Sequence, residues 1–91
     1  MKIEQTLNFK RVYKRLYNNQ KSIVDDEIRK VCEDPTIGTE KKQDLSGVFV
    51  HKFIALDKQF LLAYTYDPQT LKLILLGVHE NFYRDLKKSL K

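Results

Sequence analysis

One run of eight residues gathers the side chains best suited to chemistry: Gly77-Val78-His79-Glu80-Asn81-Phe82-Tyr83-Arg84. His79 is one of two histidines, and imidazole is the side chain whose unperturbed pKa lies nearest neutrality, so it can give or take a proton there. Tyr83 and Arg84 follow within about a turn and a half of helix. Cutting a phosphodiester needs a proton carrier, a surface for a base and charge for the phosphoryl oxygens, and these three side chains could supply them. The alternative for His79 is a strand-end or helix-capping residue with no chemistry.

His51, the second histidine, adjoins Lys52. Successive strand residues point to opposite faces, so the two should not share a site, and His51 reads as a partly exposed strand residue. Lys52 interrupts the even-numbered apolar row Val48, Val50, Ile54 and Leu56. Such a lysine either reaches solvent on its flexible stem or serves a site.

The elements that must position these residues follow from periodicity. Phe9, Val12, Tyr13, Leu16 and Tyr17 mark one face of a first helix, with Asn8 as its cap. Lys10, Arg11, Lys14 and Arg15 fall on the other side, as a solvated face or as a grip on RNA phosphates. Asn18-Asn19-Gln20 offers a break. Ser22 then caps a second helix, with Asp25 and Asp26 near its positive end. Its inner face is Val24, Ile28, Val31 and Cys32, and it stops before Pro35.

Thr36 to Gly47 reads as a charged connection. Val48 to Leu56, Gln59 to Tyr66 and Leu71 to Val78 are β-branched or aromatic runs, predicted to be strands. The turns at Asp57-Lys58 and Asp67-Pro68-Gln69-Thr70 join them into an antiparallel meander. Tyr64 and Tyr66 share a face with Phe60 and Leu62 and read as core. Glu80 to Leu90 returns to helical spacing through Phe82, Tyr83, Leu86 and Leu90, with Lys87, Lys88 and Lys91 at its end. Ile3 to Leu7 could add an edge strand. The expected fold is α+β: an N-terminal helix hairpin on an antiparallel three- to four-stranded sheet, with a short C-terminal helix.

Ninety-one residues, 42% of them hydrophobic, suit a single domain spanning 1–91. No apolar run approaches the roughly 20 residues of a bilayer crossing, so no membrane association is expected. Met1 to Gln5 lacks an apolar signal region, which with one cysteine, Cys32, predicts a cytoplasmic protein without disulfides. Two histidines far apart and one cysteine point to no metal site, and no small-molecule cofactor is expected. Seventeen basic against twelve acidic residues give +5, a balance that favours polyanions and acidic partners.

The order of these features resembles the RelE/ParE superfamily of bacterial type II toxins. Phe9-Lys10-Arg11-Val12-Tyr13-Lys14-Arg15-Leu16 is similar to its first helix. Asp34-Pro35-Thr36-Ile37-Gly38 and Asp44-Leu45-Ser46-Gly47-Val48 resemble its connection, and Leu61-Leu62-Ala63-Tyr64 its hydrophobic strand. The closing run from Gly77 to Arg84 looks like the terminal motif of YafQ-like members. The resemblance implies a toxin that cuts translated mRNA on the ribosome, restrained by a cognate acidic antitoxin. The superfamily also contains gyrase poisons that perform no chemistry, and a degenerate antitoxin-binding module is a third reading. Carried over, His79, Tyr83 and Lys52 would be catalytic; in such an enzyme the charge and position of Arg84, Phe82, Lys10, Arg11, Lys14 and Arg15 would suit them to contact RNA. Two departures stand out: Ile54 and Phe60 occupy positions where RelE-like members carry further basic residues.

Overall fold

The computed structural model describes residues 2–78 and 80–90. The chain runs β1 (Lys2–Gln5), α1 (Leu7–Lys14), α2 (Asn18–Glu33), β2 (Thr39–Glu40), β3 (Phe49–Ala55), β4 (Lys58–Tyr66), β5 (Thr70–Val78) and α3 (Phe82–Ser89), with short 3-10 turns at Pro35–Ile37 and Gln43–Leu45. The strands form one sheet in the order β1-β5-β4-β3-β2. The meander β3-β4-β5 is antiparallel, as its short turns require, and β2 extends it antiparallel to β3. The edge strand β1 pairs parallel with β5. The sheet therefore has five strands, two of them short edges. A two-residue strand lies below the length at which an alternating pattern can be recognised, and β1 is exposed throughout.

Both faces of the sheet are covered. The helix hairpin packs on one, where Phe9, Val24 and Val31 meet Phe53, Phe60, Leu62, Tyr64, Leu71 and Leu73. On the other, Phe82 and Leu86 of α3 meet Val48, Val50, Leu61, Ala63, Ile74 and Leu75. This explains why β5 reads as a continuous apolar run rather than an alternating one. Tyr64 is fully buried and Tyr66 is partly buried against the same cluster, in agreement with the core reading.

Helix boundaries shift from the sequence expectation. Thr6, not Asn8, caps α1, its hydroxyl accepting from the Phe9 N–H at 3.1 Å. The second helix begins at Asn18 rather than after Ser22. The buried Gln20 explains this, because its side-chain oxygen takes the Tyr17 N–H at 3.0 Å and closes the first turn. Arg15, Leu16 and Tyr17 form the break.

Two details set the aim of β5. Its pairing with β4 jumps from Ala63↔Leu75 to Tyr64↔Leu73, which leaves Ile74 as an extra residue. Thr6 holds this bulge: its hydroxyl donates to the Ile74 carbonyl at 2.5 Å and its N–H to Leu73 at 3.1 Å. Beyond the bulge the alternation is inverted, so Gly77 lies on the α3 face. Asn81 then adopts a left-handed conformation, φ 64°, which asparagine tolerates better than most residues, and the chain turns into α3.

Candidate functional site

Lys52 pairs with Leu61 on β4, and Leu61 pairs with Gly77 on β5. Register therefore lines Lys52, Leu61 and Gly77 across three strands on the α3 face. Phe82 rests on Gly77: a methyl group there would lie 3.3 Å from the Phe82 ring. Tyr83, one residue on, is half-buried and meets Phe82 edge-to-face at 5.5 Å. Lys52 is exposed. The sheet thus brings Lys52 and the Tyr83 motif to one side of the molecule. His79 lies outside the described residues; in sequence it stands two residues after Gly77.

Two assignments change. Phe82 is 2% exposed, so its ring has no free face for a base, and its role is to anchor α3. Phe60 also could not have carried a helper cation, because it faces the helix hairpin and is buried there. The β4 residues on the site face are Gln59, Leu61, Ala63 and Thr65, and none is basic. Ile54 does share the face of Lys52 and is 69% exposed, so the basic residue missing there is a real difference in the site.

The remaining basic residues divide. Arg84 is exposed, with only a loose approach of its Nε to Asp85 at 4.0 Å. Lys10, Arg11 and Lys14 on α1 and Arg15 just after it are exposed, and α1 packs on the opposite face of the sheet. Arg11 nevertheless lines a cleft of about 290 Å³ with Asn8, Val12, Leu75, Asp85, Lys88 and Ser89. α1 and α3 therefore meet around the outer edge of β5, where the Asn8 side-chain amide donates to the Ser89 hydroxyl at 2.8 Å.

Two features escaped the sequence. Lys41 follows β2, and its N–H bonds the Val48 carbonyl at 2.8 Å. Its ammonium sits 5.1 Å from the centroid of the Tyr83 ring. No periodicity marks so short an edge, so nothing distinguished Lys41 from its charged neighbours. The second feature lies on the helix face. His51 Nε2 is 2.8 Å from Glu27 Oε1, and Lys30 Nζ is 2.8 Å from Glu27 Oε2. Burial alone would raise the Glu27 carboxyl, but hydrogen bonds and charge from Lys30 and His51 outweigh it and hold it below the ordinary range. A signal existed, since Glu27 falls on the apolar stripe of Val24, Ile28 and Val31, where an acid needs a partner. As alternation implied, His51 and Lys52 face opposite ways. Among the described residues no three His, Cys, Asp or Glu side chains are grouped to hold a metal ion, and no described helix is long and apolar enough to cross a membrane.

An α+β sheet closed by a short helix at the end of β5 is the architecture of the RelE/ParE class. Residues 3–87 match the family model described as the ParE-like toxin of type II bacterial toxin–antitoxin systems, and the chain belongs to that family. Among solved structures it is similar to a double arginine-to-alanine mutant of the E. coli toxin RelE in the free state, with TM-score 0.76 and 15% identity over 99% of this chain and 97% of that one. It is also similar to a chain of the intact E. coli RelBE toxin–antitoxin complex, with TM-score 0.70 and 15% identity over 87% of this chain and 96% of that one. At that identity the two likenesses speak for the fold. No curated protein matches in sequence.

Proposed function

We propose that this toxin is an endoribonuclease that cuts mRNA during translation, and that a cognate acidic antitoxin restrains it by covering its basic surface. The observation that carries this reading is the line Lys52–Leu61–Gly77 across the sheet, which sets an exposed lysine on the face where the chain enters its histidine-tyrosine-arginine motif. In the reaction the 2′-oxygen attacks the adjacent phosphorus and the bond to the 5′-oxygen breaks, leaving a cyclic phosphate and a free 5′-hydroxyl. One group takes the 2′-hydroxyl proton and another returns a proton to the leaving oxygen. His79 serves as one of these. Lys52 and Arg84 offset charge on the phosphoryl oxygens, and Tyr83 orients the base or the phosphate.

A gyrase poison is the second reading, favoured by the ParE-like description of the matching family. That protein would bind its target and perform no chemistry. A domain keeping only the antitoxin surface is the third. Inducing the toxin without antitoxin, then mapping mRNA ends and DNA breaks, separates them. Cuts within translated codons support the nuclease. Gyrase-linked breaks support the poison, and neither signal leaves the binding module.

A further inference from the structure

Lys41 lies outside every motif of the sequence, yet it stands at the proposed site. Resting on the nuclease reading, we infer that Lys41 is a phosphate-contact residue of this site, adding from the end of β2 a second cation to Lys52 of β3.

Three observations converge on it. Position comes first: Thr39 pairs with Val50 and Lys41 bonds back to Val48. Alternation therefore puts Lys41 on the face of Val48, Val50 and Lys52. Contact comes second. The ammonium lies over the ring of Tyr83 at 5.1 Å, within the range where a cation is held by the π face. That hold is weak at an exposed site, and a charged phosphate oxygen is a better partner. Charge comes third. Among the described residues Lys41 has no ion pair, whereas Lys87, one turn beyond Tyr83, is engaged by Asp44 at 3.4 Å.

Together these make Tyr83 a resting place for a mobile cation. When RNA arrives, the ammonium exchanges the ring for a phosphoryl oxygen. Lys52 and Lys41 then approach the phosphate from β3 and β2. Next to Lys52 on this face the central strands offer no further cation, and Ile54, Gln59 and Leu61 stand there.

The test is cleavage of ribosome-bound mRNA by purified toxin, with Lys41→Ala, Lys41→Met and Lys41→Arg compared with wild type. Lys21→Ala is the control, because Lys21 lies over the Tyr13 ring at 5.6 Å in an equivalent cation–π contact on the helix hairpin. Lys41→Ala and Lys41→Met should lower kcat/KM at least about tenfold, and the salt slope of the reaction should fall by about 0.7, the value for one single-strand phosphate contact. Lys41→Arg should keep most of the activity, and Lys21→Ala should stay near wild type. Wild-type cleavage with undiminished Lys41→Met activity overturns the role of Lys41 and leaves the nuclease standing. No wild-type cleavage overturns both. A lower melting temperature with unchanged kcat/KM per folded molecule would make Lys41 purely structural and also overturn the proposal.

Discussion

A single extra residue in β5 decides which side chains can meet. Without the bulge at Ile74, Gly77 would share the face of Leu71 and Leu73, under the helix hairpin and away from Lys52. His79→Ala should lower mRNA cleavage by about 10²–10⁴-fold, the usual worth of one general acid or base, without lowering the melting temperature. Full cleavage by that variant would remove His79 from the chemistry. Tyr64 is the structural counterpart of the site tyrosine. Its hydroxyl donates to the Pro35 carbonyl at 2.6 Å and accepts from the Gly38 N–H at 3.0 Å, tying the connection to the core. Tyr64→Phe should cost about 1–3 kcal/mol in denaturant unfolding, because it strands the Gly38 N–H and the Pro35 carbonyl. Gly38→Ala should also destabilise, since its methyl group would collide with the Tyr64 hydroxyl.

At the scale of elements, strands and inner helix faces were legible and their joints were not. Val24 and Val31 are buried as their spacing implied, and β3, β4 and β5 fall within a residue or so of the predicted runs. The start of α2 lies at Asn18, ahead of Ser22, because the buried Gln20 acts as a cap through its side chain, a tertiary fact that propensity does not carry. Phe82 and Tyr83 could not be told apart in sequence, because which of two adjacent aromatics is buried depends on how Asn81 turns the chain. Thr6 links these joints, capping α1 and bonding the bulge. Thr6→Ala should therefore cost about 1–2 kcal/mol, and it should lower cleavage at temperatures where the protein stays folded. Normal stability would show that the bulge holds itself. The contact between α2 and β3 responds to pH through Glu27. Its folded-state carboxyl is held low, so its contribution is complete above the unfolded value of about 4.3 and is lost as pH falls through the folded value. Melting curves of Glu27→Gln should lie below wild type at neutral pH and converge with it in acid; a constant gap would contradict the pairing.

For the whole molecule, the basic residues proposed to contact RNA fall on two faces, and Arg11, Asp85 and Lys88 line one cleft at the β5 edge between them. Lys52, Lys41 and Arg84 belong to the proposed site. Lys10, Lys14 and Arg15 face away from it and are placed to meet a surface as large as a ribosome, not the cleaved phosphate itself. Removing those three should weaken ribosome binding and reduce its salt dependence while leaving the rate of the bound complex unchanged. An unchanged affinity would return the face to simple solvation. The family and the overall architecture could be read from the order of motifs, because the resemblance rests on elements that the fold reproduces. The place proposed for Lys41 could not, because it follows an edge strand too short to leave a pattern. The most direct measurement combines purified toxin, translating ribosomes and end-labelled mRNA, read alongside gyrase-dependent DNA cleavage in a parallel reaction. The expected result is discrete cuts within codons that require the ribosome and vanish with His79→Ala, with no gyrase-linked breaks. Intact mRNA together with gyrase-linked breaks would contradict it.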